Sequence, residues 1–134
     1  MNQQPLHPEN SFLCTIDNVR LGEFDLGGVL YHANYFHLYE TAREALMRHN
    51  GTPYAAYVAQ DRHLAISESH QEFLSPIQYG LELEVYLWIS DLKHASLTVN
   101  YEIFRSDVAP EAGLVHRAWT RHAFVEQGRK GFEI

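Results

Sequence analysis

The chain has 134 residues, the size of one domain, and 46% hydrophobic residues with 13% aromatics supply enough material for a core. A formal charge of −7 excludes general nucleic-acid binding, which needs a basic surface, but leaves room for one anionic ligand in a local cluster of Lys and Arg. The single cysteine, Cys14, excludes an intrachain disulfide, and no apolar run approaches the ~20 residues of a membrane-spanning helix.

Residues 1–10 read as a loose polar lead without a secretory pattern, so the expectation is a cytoplasmic protein. Phe12, Cys14, Ile16 and Val19 alternate in part and predict a first strand. Residues 22–28 form a loop bent by Gly27 and Gly28 and carrying Asp25. The period then changes. Tyr35, Leu38, Tyr39, Ala42, Ala45 and Leu46 make one apolar stripe, which predicts a helix over residues 34–50. His37, Glu40, Glu44 and Arg48 lie on another stripe, with Glu44 four residues before Arg48 in the favourable order. Asn50-Gly51 stops the helix. Thr52-Pro53 starts a short second one over 53–60, with Thr52 as cap and Pro53 at the first helical position.

Beyond residue 62 the period is two. Strands are predicted at 63–74, at 81–89, at 97–103 and at 114–125, with a hairpin turn at 91–94 and a loop at 106–113. Strand, long helix, short helix and four strands make an α+β arrangement, with the long helix covering one face of an antiparallel sheet. No repeat or second domain interrupts residues 1–134.

Asp25 is the residue with the clearest chemistry. It precedes Gly28 by three residues and His32 by seven, where the helix begins. A carboxylate can act as a base or nucleophile. The first N–H groups of a helix have no intrahelical partner and attract negative charge. Acyl transfer needs such a pair. Taken by itself, however, an aspartate before glycines is more often an ordinary turn residue. Asn34 is placed to cap the helix, and Tyr31 reads first as packing. His32 and His37 are five apart, off the i, i+4 spacing of helical zinc motifs, so no metal site is expected.

Asp25, Gly28, Val29-Leu30-Tyr31-His32, Asn34-Tyr35, Glu40 and Arg43 together resemble the N-terminal signature of the 4-hydroxybenzoyl-CoA thioesterase family. Phe73-Leu74-Ser75-Pro76 and the run from Leu81 to Val85 are similar to that family's next strands, and the resemblance covers roughly residues 12–126. Shorter stretches at 70–76, 101–103 and 120–122 resemble the 1,4-dihydroxy-2-naphthoyl-CoA thioesterase branch. The resemblance implies the hot-dog fold, a five-stranded antiparallel sheet wrapped around one long helix. It implies hydrolysis of an aromatic or bulky acyl-CoA, with Asp25 attacking the thioester carbonyl or activating the water that does, and the backbone N–H of His32 holding the carbonyl oxygen. Gly28, Tyr31 and Asn34 are then the neighbours of the acyl group. No cofactor is implied, because coenzyme A belongs to the substrate. A homodimer joined through sheet edges, or a dimer of dimers, is implied as well, with each site between subunits.

Two positions depart from the family pattern. Phe24 stands where many relatives are small or polar, and Leu26 replaces a common alanine or proline. Glu40 reads as structural, paired with Arg43 at i+3. Arg117, Arg121, Arg129 and Lys130 are candidates for the coenzyme A phosphates; Arg117 and Arg121 share a strand face with Trp119. A solvated strand face accounts for them at least as well. His63, His70, His116 and His122 read as strand-surface residues. Two other readings stand beside the hydrolase. A hot-dog hydratase or dehydratase would carry a histidine-centred motif that the chain lacks. A non-catalytic small-ligand module would place its helix before any strand.

Overall fold

The computed structural model describes residues 5–128 and 131–133, and the side chains up to Val125. Residues 1–4 of the polar lead, Arg129 and Lys130 lie outside the described residues. In chain order the elements are β1 (Phe12–Ile16), two 3-10 turns (Leu21–Glu23 and His32–Asn34), α1 (Tyr35–His49), α2 (Tyr54–Ala59) and β2 (Arg62–Phe73). There follow β3 (Leu83–Ser90), β4 (Ser96–Arg105), the single turn α3 (Pro110–Gly113), β5 (Leu114–Gly128) and β6 (Gly131–Glu133).

The strands run antiparallel in the order β1-β3-β4-β5-β2, with the short β6 beside the end of β5. Leu87 faces Tyr101 across β3 and β4, and Tyr101 faces Ala118 across β4 and β5. Because strand side chains alternate, these residues share one face. On that face lie Val85, Leu87, Val99, Tyr101, Ile103 and Ala118, all buried. α1 lies across it and buries Tyr35, Leu38, Tyr39 and Ala42, with Ala45 and Leu46 partly buried beside them. The stripe read from the 3.6-residue period is thus the packed stripe. A five-stranded antiparallel sheet around one long helix is the hot-dog arrangement. β6 is an addition that the period-two pattern did not announce.

Three local features differ from the expectation. Asn34 makes no cap with its side chain; Nδ2 donates instead to the Glu23 carbonyl at 2.8 Å. Thr52 does not cap α2 either: Pro53 holds the cap position, and the Thr52 hydroxyl turns back to the Met47 carbonyl. Ile89 continues the alternation of β3 yet is exposed, because it lies at the end of the sheet that α1 leaves open.

On the outer face, part of the polar lead is tied to the sheet. The N–H groups of Leu6 and His7 donate to the two oxygens of buried Glu102 at 2.9 and 3.0 Å, and the His7 ring stacks on Tyr86 with centroids 4.0 Å apart. Burial pushes the Glu102 carboxyl up. Hydrogen bonds from the Leu6 N–H, His7 and Arg117 outweigh this and hold it below the ordinary carboxylate range.

Candidate active site

The glycine loop folds as a small hairpin. Phe24 bridges to Leu30 and Val29 to Gln78, while Asp25 N–H donates to the Val29 carbonyl at 2.9 Å and Tyr31 N–H to that of Glu23 at 3.2 Å. The turn requires Gly28, whose φ is +82°, a left-handed conformation that costs an ordinary residue roughly 1–2 kcal/mol. Two bonds anchor the hairpin. Leu30 N–H donates to Ile77 beyond β2, and the Asn34 amide holds the Glu23 carbonyl from the base of α1.

Asp25 is exposed at the tip. Its Oδ1 accepts the Gly27 N–H at 2.9 Å and the Val29 N–H at 3.3 Å, so the carboxylate direction is set by backbone. Oδ2 has no partner among the described residues. A Cβ added at Gly27 would meet Oδ1 at 3.3 Å, which is why a glycine fits there. His32 opens the second 3-10 turn, and its N–H meets no acceptor among the described residues. Such an unpaired N–H at a helix start can stabilise a developing oxyanion. The His32 imidazole is exposed against the Tyr31 ring, with centroids 4.3 Å apart. Tyr31 is therefore exposed rather than core packing. Leu26, Phe73 and Tyr79 are exposed around the same end of α1, with Phe73 against Tyr35 and Tyr79 against Phe24.

Asp25, Gly28, Tyr31, His32 and Asn34 thus lie on one hairpin-to-helix segment. Arg117 and Arg121 are elsewhere, on the sheet face turned away from α1, as the parity with Trp119 predicted. Arg117 forks onto Glu102, with Nε at 3.0 Å and Nη2 at 2.8 Å, and lies 3.8 Å from Glu72. Its charge serves the buried carboxylate, so a phosphate would have to compete with an ion pair. Arg121 bonds Glu68 at 2.7 Å and lies over the Trp119 ring at 5.4 Å. No three His, Cys, Asp or Glu side chains among the described residues are arranged to hold a metal ion.

Inside the sheet the structure corrects two assignments. His116 and His122, read as strand-surface residues, are both fully buried. The parity that puts Arg117, Trp119 and Arg121 outside puts His116, Ala118, Thr120 and His122 under α1; that signal was present in β5. The Tyr39 hydroxyl donates to His116 Nε2 at 2.5 Å, and the ring of Tyr35 stacks on His116 at 4.3 Å. Tyr101, Thr120 and His122 form a second chain, with 2.7 Å at each link. Burial pushes His116 down to about 3, and burial with the nearby Arg43 charge pushes His122 down to about 4. Both imidazoles are neutral at pH 7. Arg43 does not pair with Glu40, which is exposed. It turns under α1 and donates to the Tyr101 hydroxyl at 3.0 Å.

The chain matches the thioesterase-like superfamily over residues 19–134 and belongs to it: the protein is a thioester hydrolase with a hot-dog fold. It is 30% identical over 111 residues to an Aquifex aeolicus protein named "Putative esterase", covering 83% of each chain. It is 32% identical over 114 residues to the 1,4-dihydroxy-2-naphthoyl-CoA hydrolase of Gloeothece citriformis, covering 80% of this chain and 74% of that one. The crystal structure of a hypothetical protein from Aquifex aeolicus superposes with a TM-score of 0.78 at 29% identity, over 88% of this chain and 89% of that one.

Proposed function

We propose that this protein hydrolyses an acyl-CoA with an aromatic or otherwise bulky acyl group to the free acid and coenzyme A, using Asp25 and the His32 N–H. The observation that carries the reading is the backbone-oriented Asp25 carboxylate on the same hairpin as an unpaired N–H at a helix start. With Asp25 as base, Oδ2 takes a proton from water, the hydroxide adds to the thioester carbonyl, and the oxyanion rests on the His32 N–H. Collapse breaks the C–S bond, and the thiolate leaves with a proton. With Asp25 as nucleophile, its carboxylate adds to the carbonyl, the C–S bond breaks and the coenzyme A thiolate leaves, giving a mixed anhydride that water then opens to the free acid and Asp25. One oxyanion donor is typically worth about 2.7–4 kcal/mol in the transition state. Gly28, Tyr31 and Asn34 sit where the acyl group would meet the hairpin. The half-exposed Arg121 and Trp119 pair is the remaining candidate among the described residues for the nucleotide end.

The relatives named for 1,4-dihydroxy-2-naphthoyl-CoA support an aromatic acyl group. The site is open within one protomer, and among the described residues both β1 and β2 leave one sheet edge unpaired. The same proposal therefore includes a homodimer, or a pair of dimers, in which a second copy closes over Asp25. It further takes the chain to act as one domain, in the cytoplasm, with no cofactor beyond the coenzyme A of its substrate.

The test offers purified protein a panel of aromatic and aliphatic acyl-CoAs and follows free thiol. Aromatic substrates turn over fastest, and Asp25→Ala is nearly inert; an Asp25→Ala protein as fast as the parent removes Asp25 from the chemistry. In a single turnover in 18O water, label in Asp25 marks a nucleophilic route in which water opens the anhydride at the Asp25 carboxyl carbon. Light scattering at low concentration reads the oligomer, and an active monomer overturns the shared site.

A further inference from the structure

Under the C-terminal half of α1 lies a cavity of about 810 Å³, within the range of small-molecule sites. It is bounded by the end of α1, by α2 and by the starts of β2 and β4. Leu46, Leu64 and Val99 are among its apolar walls. It opens to solvent past Asn50, His94 and Ile89, so a small molecule can enter. It is also distinct from the Asp25 hairpin of the same protomer. The two sit at opposite ends of a helix of 15 residues, about 22 Å at 1.5 Å per residue.

The charge of the walls says what kind of occupant. The protein has 17 acidic residues against 10 basic ones. Yet among the described residues the walls carry Arg43 and His94 and no aspartate or glutamate, while His63, also on the wall, pairs with Asp61 at 3.2 Å. Arg43 is the telling member. It is half-buried, its one hydrogen bond among the described residues goes to the neutral Tyr101 hydroxyl, and no carboxylate meets it. A guanidinium presents five N–H donors in a fork that matches a carboxylate. A half-buried cation without a counter-ion is costly, and an anion seated beside it relieves that cost.

We propose that this cavity binds a carboxylic acid with an apolar body, its carboxylate held by Arg43 and its body against Leu46, Leu64 and Val99. The site goes beyond the hydrolytic reading and does not depend on Asp25. Such an acid has two sources, an aromatic acid of the kind the proposed reaction releases or a straight-chain acid from elsewhere.

Calorimetric titration with 2-naphthoate and with decanoate, each beside its alcohol, 2-naphthalenemethanol or 1-decanol, tests the proposal on the unmodified protein. At least one acid binds at least about tenfold more tightly than its alcohol, as one charge-assisted contact provides. The acid that wins identifies the source. Arg43→Gln brings acid and alcohol to equal affinity, and Arg43→Lys restores part of the preference. Ala95→Trp, which fills the cavity from a half-exposed wall position, abolishes binding of both. Asp25→Ala keeps acid binding even where thiol release is lost, so failure here is separable from failure of the hydrolytic reading. Equal affinity for acid and alcohol on the parent, no binding of either acid, or an Arg43→Gln protein that keeps the preference overturns the proposal.

Discussion

The two ends of α1 are built on opposite principles. At the N-terminal end the Asp25 hairpin is held by backbone hydrogen bonds and buries little. Asp25, Leu26, Tyr31 and His32 all face outward. Beneath the helix, the Tyr39 hydroxyl bonds His116, and Tyr101, Thr120 and His122 bond in a chain; all are buried, while Nδ1 of each histidine has no partner among the described residues. Reactive geometry can sit on the exposed end because backbone fixes it without needing a packed surround. The buried polar groups have no access to solvent, and burial pushes the pKa of the Tyr39 hydroxyl up and those of the His116 and His122 imidazoles down. They tie β4 to β5 and, through Tyr39, the helix to the sheet. A perturbed histidine is therefore a guide to the core of this fold, and the proposed site is read from backbone geometry around Asp25 instead.

Substitutions can break or sharpen that contrast. The largest effect belongs to Asp25→Asn. Its amide oxygen still accepts from Gly27 and Val29, so the fold and melting temperature stay unchanged, while kcat falls by about 10²–10⁴. Steady-state thiol release beside a thermal melt reads both, and a loss of stability to match the loss of rate erases the distinction between the two ends. Next is Tyr39→Phe, which leaves His116 Nε2 buried without a donor. Urea unfolding shows a loss of about 1–3 kcal/mol with turnover per folded molecule unaltered.

Acid reads the buried titrating groups on both faces of the sheet. His116 and His122 take up protons near the ordinary ~6.5 when unfolded, but only at about 3 and about 4 when folded. Depressed folded values mean that stability is complete above the unfolded value and is lost as pH falls through this window. The slope reaches at most about 1.4 kcal/mol per pH unit for each histidine. Glu102, held below the ordinary carboxylate range, adds loss of the same sign at the acid end of the window. Denaturant midpoints measured from pH 7 to 4 check this, and a flat profile removes the neutral imidazoles. The smallest effect is Gly27→Ala, whose Cβ crowds Oδ1 and turns the carboxylate slightly. A severalfold drop in kcat with an unchanged urea midpoint is expected.

Much of this was legible in the chain, for a local reason. Periods of 3.6 and two residues state which side chains share a face. The stripe from Tyr35 to Leu46 and the alternation from Leu83 to Leu87 therefore became the core as read. Gly28 announced a turn because its conformation is a property of the residue. The same parity placed Arg117 and Arg121 on one face. It did not say that Arg117 would find Glu102, 15 residues away in β4.

The sequence by itself thus determined the α+β order, the helix stripe and the Asp25 turn, since each follows from steric and hydrophobic preferences within a few neighbouring residues. Tertiary structure alone decided that Asn34 reaches Glu23 instead of capping, that Arg43 leaves Glu40 for Tyr101, and that His116 and His122 are core. Long polar side chains choose among partners far apart in the chain, and only the packing of helix on sheet brings those partners within hydrogen-bond reach or shuts them away from water.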